Sequence, residues 1–538
     1  MAETGRSEHT QRASVRTLGG MVTAAHPLAA DAGAEMLRKG GNAFDAIVAT
    51  AAALNVVEPY MSGFAGLGMA NCWVASEGRA RSLDFHTPCP ADFPIDSADK
   101  PRMVNGPLAS GTPGNLAGWA TLQKAHGRLS LAEALAPAVA LARNGYPITG
   151  FYLDMLSSVS GRPMSEEWAR VYAFSGAAKR GMILKQPELA DTLEAIAADG
   201  IGHLYGGPLG KKLADYMAGN GGCISLADLE AVQPVWEETI QAEYRGLTLN
   251  VPPPPAESFQ FPLTLRLLAG TDFSRLAHLG ADHLDRVFRA VRVAAELRIR
   301  NNKRTPAQIL ELLSEKSVAP LRALVEGRDA VWGRTEQFDT GPLAEGPKLN
   351  EHTTSFSAMD AEGNAVCLTQ SLGSPWGSGV VLPGTGVCLN NFLNWTDLNP
   401  ASPNRLIPGA RYAMCLAPTL GTRNGKLALA LGTPGSYGIL QTQTQALVHW
   451  LDYGLELQGA IDAPRGRLFD GRKVNLESRV SPEVMAELRV RGHDVTPLGA
   501  YSWSCGGMHA IARDAATGAL EGAADSRRDG AAIPVPPR

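Results

Sequence analysis

Two short runs, SFSAMD at 355–360 and NAVCLTQ at 364–370, alternate roughly apolar and polar residues and are joined by Ala361, Glu362 and Gly363. Period-two alternation on both sides of a three-residue turn that ends in glycine specifies a β-hairpin. With pairing symmetric about Glu362, Asp360 faces Asn364 and Thr353 faces Ser371. Residues directly opposite carry their Cβ atoms about 5 Å apart on one side of the sheet, so two hydroxyls should meet at the mouth of the hairpin. A bulge at Gly363 is the way this register could slip by one residue.

That pairing acquires chemical meaning if Thr353 becomes a chain terminus. A threonine hydroxyl is a weak nucleophile at neutral pH, but a freed α-amine on the same residue, with an unperturbed pKa of about 7.7 to 8.0, can act as its base. An ordinary threonine-rich strand accounts for HTTS at 352–355 as well, and spacing alone does not choose. GTPGS at 432–436 can set successive N–H groups into an anion-holding turn, although a plain structural turn has the same composition. EPYMSGFAGLG at 58–68 lacks the Lys-Ser/Thr of a phosphate loop and the GxGxxG spacing, which excludes nucleotide binding and leaves close backbone packing around a catalytic threonine.

Charge and cysteine usage narrow the class. Forty-nine basic and 53 acidic residues give a net charge of −4 with no long block of one sign, so neither nucleic acid nor an anionic membrane is an expected partner. The apolar stretch at 43–57 is interrupted by Asp45 and Asn55 and falls short of the roughly 20 residues of a membrane span. Seven cysteines without a CxxC pair argue against a disulfide framework and a zinc site, and no metal or other cofactor is expected. Residues 1–18 read as a polar tail without the apolar core of a secretory signal, which points to the cytoplasm.

The rest of the chain alternates helical and extended patterns. Residues 19–23 read as a strand and 28–39 as a helix closed by Gly40 and Gly41. Asn42 caps a second helix over 43–55 that is apolar nearly all round and must be buried on several sides. Strands are predicted at 69–74, 244–251 and 426–431, and helices at 131–144, 186–198, 281–301 and 305–325. The proline run at 252–255 suggests, in isolation, a linker or a partner motif, and 328–351 reads as a flexible segment.

The run TTSFSAMDAEGNAVCLTQSLGSPWGSGVVLPGTGVCLNN, from Thr353, resembles the start of the small subunit of the γ-glutamyltranspeptidase family, an autoprocessing group of N-terminal-nucleophile hydrolases. GGNAFDAIVATAAALNVVEP at 40–59, LASGTPGNLAG at 108–118, GTPGS at 432–436, LDYGLELQGAIDAPR at 451–465 and DSRRDGAA at 525–532 are similar to family signatures in family order, over almost the whole chain. The resemblance implies an α/β fold, a four-layer αββα sandwich, cut autocatalytically between His352 and Thr353. The fragments of 352 and 186 residues (538 − 352) would form one intertwined domain, with 19–352 as the large and 353–538 as the small subunit. They would act as a heterodimer on a small-molecule amide, with a dimer of heterodimers as a further option.

Carried over by position, the resemblance makes Thr353 the nucleophile, Thr354 its support, Ser371 the assisting hydroxyl where the family has threonine, and the Gly435 and Ser436 amides the oxyanion hole. The family's clamp for a γ-glutamyl group does not carry over. His86 replaces its arginine, Gly373 its hairpin asparagine, Trp395 beside Asn394 its acidic residue, and Met414 and Cys415 its serine pair. Charge-assisted contacts contribute about 1.5 to 3 kcal/mol each, so their loss disfavours a zwitterionic amino-acid head. The leading expectation is therefore an autoprocessed amide hydrolase with a non-γ-glutamyl acyl group, with His86 left as a weak contact for an acidic group. The alternatives are a genuine γ-glutamyltranspeptidase acting on glutathione and an uncleaved, non-catalytic binding protein.

Overall fold

The computed structural model describes residues 12–301, 304–327, 352–402 and 404–537. Its centre is the hairpin. His352–Met359 and Ala365–Gly373 pair antiparallel, with Met359 opposite Ala365 and Thr354 opposite Gln370, which is the register symmetric about Glu362. Gly363, at φ +94°, closes the turn without slipping the ladder, and the Asp360 carboxylate accepts the Asn364 N–H at 2.9 Å. Every residue of both strands is buried, so the hairpin lies inside the molecule and not at a solvated edge.

Gly20–Ala24 and Leu67–Val74 flank the hairpin on its two sides. Ala531–Val535 lies outside the first, Arg79–Asp84 and Val235–Glu238 outside the second, and all seven strands are antiparallel to their neighbours. A second antiparallel sheet of seven runs Val15–Thr17, Leu520–Ala524, His509–Arg513, Lys426–Gly432, Thr419–Arg423, Leu247–Val251, Ile240–Tyr244. The sheets meet closely where side chains are small: a Cβ on Gly432 would overlap Ser355 Oγ, and the Cys367 thiol donates to the Leu431 carbonyl at 3.3 Å.

Helices cover both outer faces. All 15 residues of Ala43–Val57 are buried, because this helix is enclosed by the first sheet and the helices Pro27–Lys39 and Leu131–Asn144. Asn42 and Asp45 start it with a reciprocal capping box, and Gly40, at φ +105°, ends the helix before it. Gln260–Leu268 and Ile439–Leu451 pack on the second sheet, and Ala281–Asn301 packs on Gln260–Leu268. The four layers are the αββα arrangement expected from the sequence. Each sheet combines strands from both sides of the His352–Thr353 bond, and Gly20–Ala24 lies between His352–Met359 and Ala531–Val535.

Three expectations change. The strand predicted at 244–251 is a hairpin, Ile240–Tyr244 and Leu247–Val251, because Arg245 and Gly246 both take positive φ as a two-residue turn requires. The helix predicted over 305–325 is split into Pro306–Leu312, Glu315–Val318 and Arg322–Glu326, since Ser314 caps a new helix and Pro320 has no N–H to continue one. Part of the polar leader belongs to the fold, with Val15–Thr17 as the edge strand of the second sheet. The segment 328–351 lies outside the described residues.

Candidate active site

At the mouth of the hairpin the ladder skips. Between the pairs Thr354–Gln370 and His352–Gly373, the single residue Thr353 faces two, Ser371 and Leu372. Such a bulge re-aims the side chains beside it. The Ser371 hydroxyl accordingly does not bond the Thr353 hydroxyl, as the symmetric register predicted, but donates to the carbonyl oxygen of His352 at 2.6 Å. Ser371 Oγ in turn accepts the Gly373 N–H at 2.8 Å. The relay ends on the peptide bond that precedes Thr353, and a hydroxyl polarised by an incoming N–H is a stronger donor. Thr353 is buried, and its own hydroxyl makes no hydrogen bond among the described residues.

Distant parts of the chain hold this segment. Arg528 Nη1 donates to the Thr353 carbonyl at 3.1 Å while its guanidinium lies over Phe151, and Thr354 Oγ1 donates to Glu58 Oε2 at 2.9 Å. Glu58 caps the buried helix Ala43–Val57; burial pushes its carboxyl up to about 7, with Arg528 acting in the opposite direction. Arg528 and Glu58 stand in the family-like segments DSRRDGAA and VVEP, but no local pattern in the sequence marks either as a site residue. The 58–68 loop packs on the hairpin as expected: Leu372 N–H donates to Met61 at 3.0 Å, and a Cβ on Gly66 would overlap the Ser371 carbonyl oxygen.

Lys426–Gly432 ends against Ser355 and continues into the GTPGS turn. Gly435 has φ +123° and Ser436 φ +55°, a left-handed conformation that costs a non-glycine residue of order 1–3 kcal/mol and occurs preferentially at functional sites. Their two N–H groups donate to no acceptor among the described residues. The loop around Trp503 touches both this turn and His352: the Trp503 ring centroid is 5.5 Å from that of His352, and Gly506 Cα is 3.6 Å from a Cβ built on Gly435.

The candidate substrate residues lie along a rim that starts at the hairpin. Gly373 has φ +96°, and a side chain there would collide with Asn391 Oδ1. Lys100 Nζ holds the carbonyls of Asn394 and Thr396, and the Trp395 ring, half-buried, is 6.0 Å from Tyr437. Met414 and Cys415 are enclosed, in one apolar cluster with Phe392, Trp395, Tyr412 and Tyr437. The Met414 main chain is bonded to Pro255 and Glu257, which makes the proline run a structural support of this wall. His86 is buried with its ring edge-on to Tyr412 at 4.4 Å. Burial, assisted by Arg411, pushes its pKa down to about 3, so the imidazole is neutral at physiological pH and the expected ionic contact with an acidic group is not available from it. Arg411 is itself paired with Asp84 at 3.1 Å.

The family model for Gamma-glutamyltranspeptidase matches residues 29–535. The Acylase ACY 1 proenzyme of Pseudomonas sp. (strain SE83) is 33% identical over 537 residues, covering 96% of this chain and 93% of the relative. The oxamate amidohydrolase proenzyme of Klebsiella pneumoniae is 32% identical over 539 residues, covering 95% and 98%. The crystal structure of cephalosporin acylase from Bacillus halodurans superposes with a TM-score of 0.86 at 27% identity and covers 98% of both chains.

Proposed function

The chain belongs to the gamma-glutamyltranspeptidase family, and we infer that it is a self-cleaving N-terminal-threonine hydrolase that cuts the amide bond of a substrate whose acyl group is not γ-glutamyl. The observation that carries this reading is the 2.6 Å hydrogen bond from Ser371 to the carbonyl of His352. A donor already aimed at that oxygen stabilises the oxyanion formed when Thr353 Oγ attacks the His352 carbonyl carbon. Collapse of the adduct breaks the C–N bond, moves the acyl group to Thr353 Oγ as an ester and leaves the proton on nitrogen. Water then releases the His352 carboxylate, and Thr353 keeps a free α-amine.

In the mature enzyme that amine takes the hydroxyl proton while Thr353 attacks a substrate amide. The Gly435 and Ser436 N–H groups serve the oxyanion, the amine leaves with a proton, and water hydrolyses the acyl-enzyme. Arg528 and the Thr354–Glu58 bond position the nucleophile's backbone. The substrate assignment is supported by the neutral His86, by Trp395 where the family carries an acidic residue, and by relatives named as an acylase and an oxamate amidohydrolase. The interleaved strands support a heterodimer of the two fragments.

Two measurements test the reading. Replacing Ser371 by alanine should slow both chain cleavage and turnover by about 10- to 1,000-fold, the range for a single positioned donor or proton-transfer group, while Ser371→Thr should be mild. Unchanged rates in the alanine variant would remove Ser371 from the mechanism. Wild-type enzyme should hydrolyse γ-glutamyl anilide poorly and at least one non-amino-acid acyl anilide well; glutathione as the best substrate would overturn the acyl assignment.

A further inference from the structure

We propose that the acyl pocket recognises a neutral hydrogen-bonding group on the acyl chain, a carboxamide, ketone or hydroxyl, through Tyr412 Oη and the His86 imidazole. This rests on the non-γ-glutamyl reading above and gives that acyl group its chemistry.

A continuous wall leads from the nucleophile's hairpin to these two side chains. Asn391 N–H donates to the Leu372 carbonyl at 2.9 Å, and its side chain abuts Gly373. The neighbouring Asn390 takes the Gly111 N–H on Oδ1 at 2.9 Å and donates to the Gly111 carbonyl at 2.7 Å. A Cβ on Gly111 would lie 3.6 Å from Tyr412 Oη, and Tyr412 meets His86 edge-on. His86, though not Tyr412, also borders a cavity of about 250 Å³ closed by Val232, Pro234 and Arg411, close to the lower end of the about 300–1,000 Å³ usual for small-molecule sites.

Both groups are buried, Tyr412 at 5% exposure and His86 at 1%, yet Tyr412 Oη and both His86 ring nitrogens have no hydrogen-bond partner among the described residues. Buried polar groups are nearly always paired, and orphans on two touching side chains of one wall call for a ligand that pairs them. Tyr412 offers an O–H donor, and a neutral imidazole offers one donor and one acceptor.

The charge balance decides what kind of ligand. Arg411, the cation beside His86, is paired with Asp84, and Glu237 behind that pair is pushed up to about 7 by burial and by Asp84. Burial also raises the Tyr412 phenol well above its ordinary value, so it stays protonated. A carboxylate or an ammonium entering this wall would lose its hydration and meet neutral dipoles, whereas a carbonyl, amide or hydroxyl would exchange one set of hydrogen bonds for another.

The test is a set of anilides of matched acyl length ending in carboxamide, methyl ketone, methyl, carboxylate or the γ-glutamyl zwitterion, compared by kcat/KM. Wild-type enzyme should prefer the carboxamide and ketone to the methyl and carboxylate members by about 10-fold or more, since a site with buried donors discriminates against analogues that leave them unpaired. Tyr412→Phe should cut the carboxamide-to-methyl preference by about 10- to 100-fold, mainly through KM. An equal loss on all members would make Tyr412 structural only and overturn the proposal, as would a wild-type preference for methyl or carboxylate. The wild-type series stands even if the variant does not fold. A γ-glutamyl preference would instead refute the underlying acyl assignment, so the two failures are distinguishable.

Discussion

Thr353→Ala should yield a single chain of about the full 56.8 kDa that never separates into fragments and has no measurable amide hydrolysis. The reason is that, in the proposed mechanism, one atom serves two reactions. Thr353 Oγ must attack the His352 carbonyl to free the terminus, and the freed residue must then supply both nucleophile and base. Nothing else stands ready to replace it: Ser371 points its hydroxyl at the His352 carbonyl oxygen, and the Thr354 hydroxyl is engaged by Glu58. The remaining donors would stabilise an oxyanion that no attack generates. Intact-mass measurement decides the matter. Cleavage before residue 353 in the alanine variant would assign the cut to another protease and remove self-processing.

Asp525→Asn should be the most damaging change away from the nucleophile. Asp525 is fully buried between Arg465 and Arg527, bonded to Arg527 Nη1 at 3.0 Å and to the Met508 N–H at 2.8 Å, and Arg527 is shared with Glu477. Burial alone would raise its pKa, but the two guanidinium groups and the Met508 N–H outweigh it and hold the carboxyl well below the ordinary range. Neutral asparagine keeps the shape and leaves the buried arginines in excess, a loss of about 3–5 kcal/mol for a broken buried pair. The next residue but two, Arg528, holds the Thr353 carbonyl, so self-cleavage should slow as well. A urea midpoint equal to that of wild type would show that the carboxylate carries no such load. The pH sign follows: a carboxyl whose folded pKa lies below its unfolded value of about 3.9 contributes stability that is complete above that value. Wild type should lose that contribution as pH falls below about 4, and Asp525→Asn should not.

How much could be read from the chain differs from element to element. The hairpin register was legible because alternation with a period of two, closed by Gly363, allows one pairing that keeps both strands buried. The helix Ala43–Val57 was legible because a helix apolar on all faces has nowhere to lie except between layers. The turn at Arg245 and Gly246 was missed because its left-handed first residue is an arginine, which carries no such signal, and the break at 313–314 because a serine cap inside a helical pattern reads as one more polar residue.

At the site the division is sharper. The sequence by itself determined the hairpin with Thr353 and Ser371 at its mouth and the close-packed glycine loop, because each rests on local pattern, and its resemblance to a known family carried the αββα class. Only the tertiary structure decided that a bulge carries the Ser371 hydroxyl onto the His352 carbonyl, since one unpaired residue in a ladder leaves no mark on the alternation around it. It also decided that Arg528, 175 residues from Thr353, and Glu58, 296 residues from Thr354, hold these two residues. The charge state of His86 was decided in the same way. An imidazole has its ordinary pKa near 6.5 in any sequence, and it becomes neutral here because folding removes its water and sets Arg411 beside it.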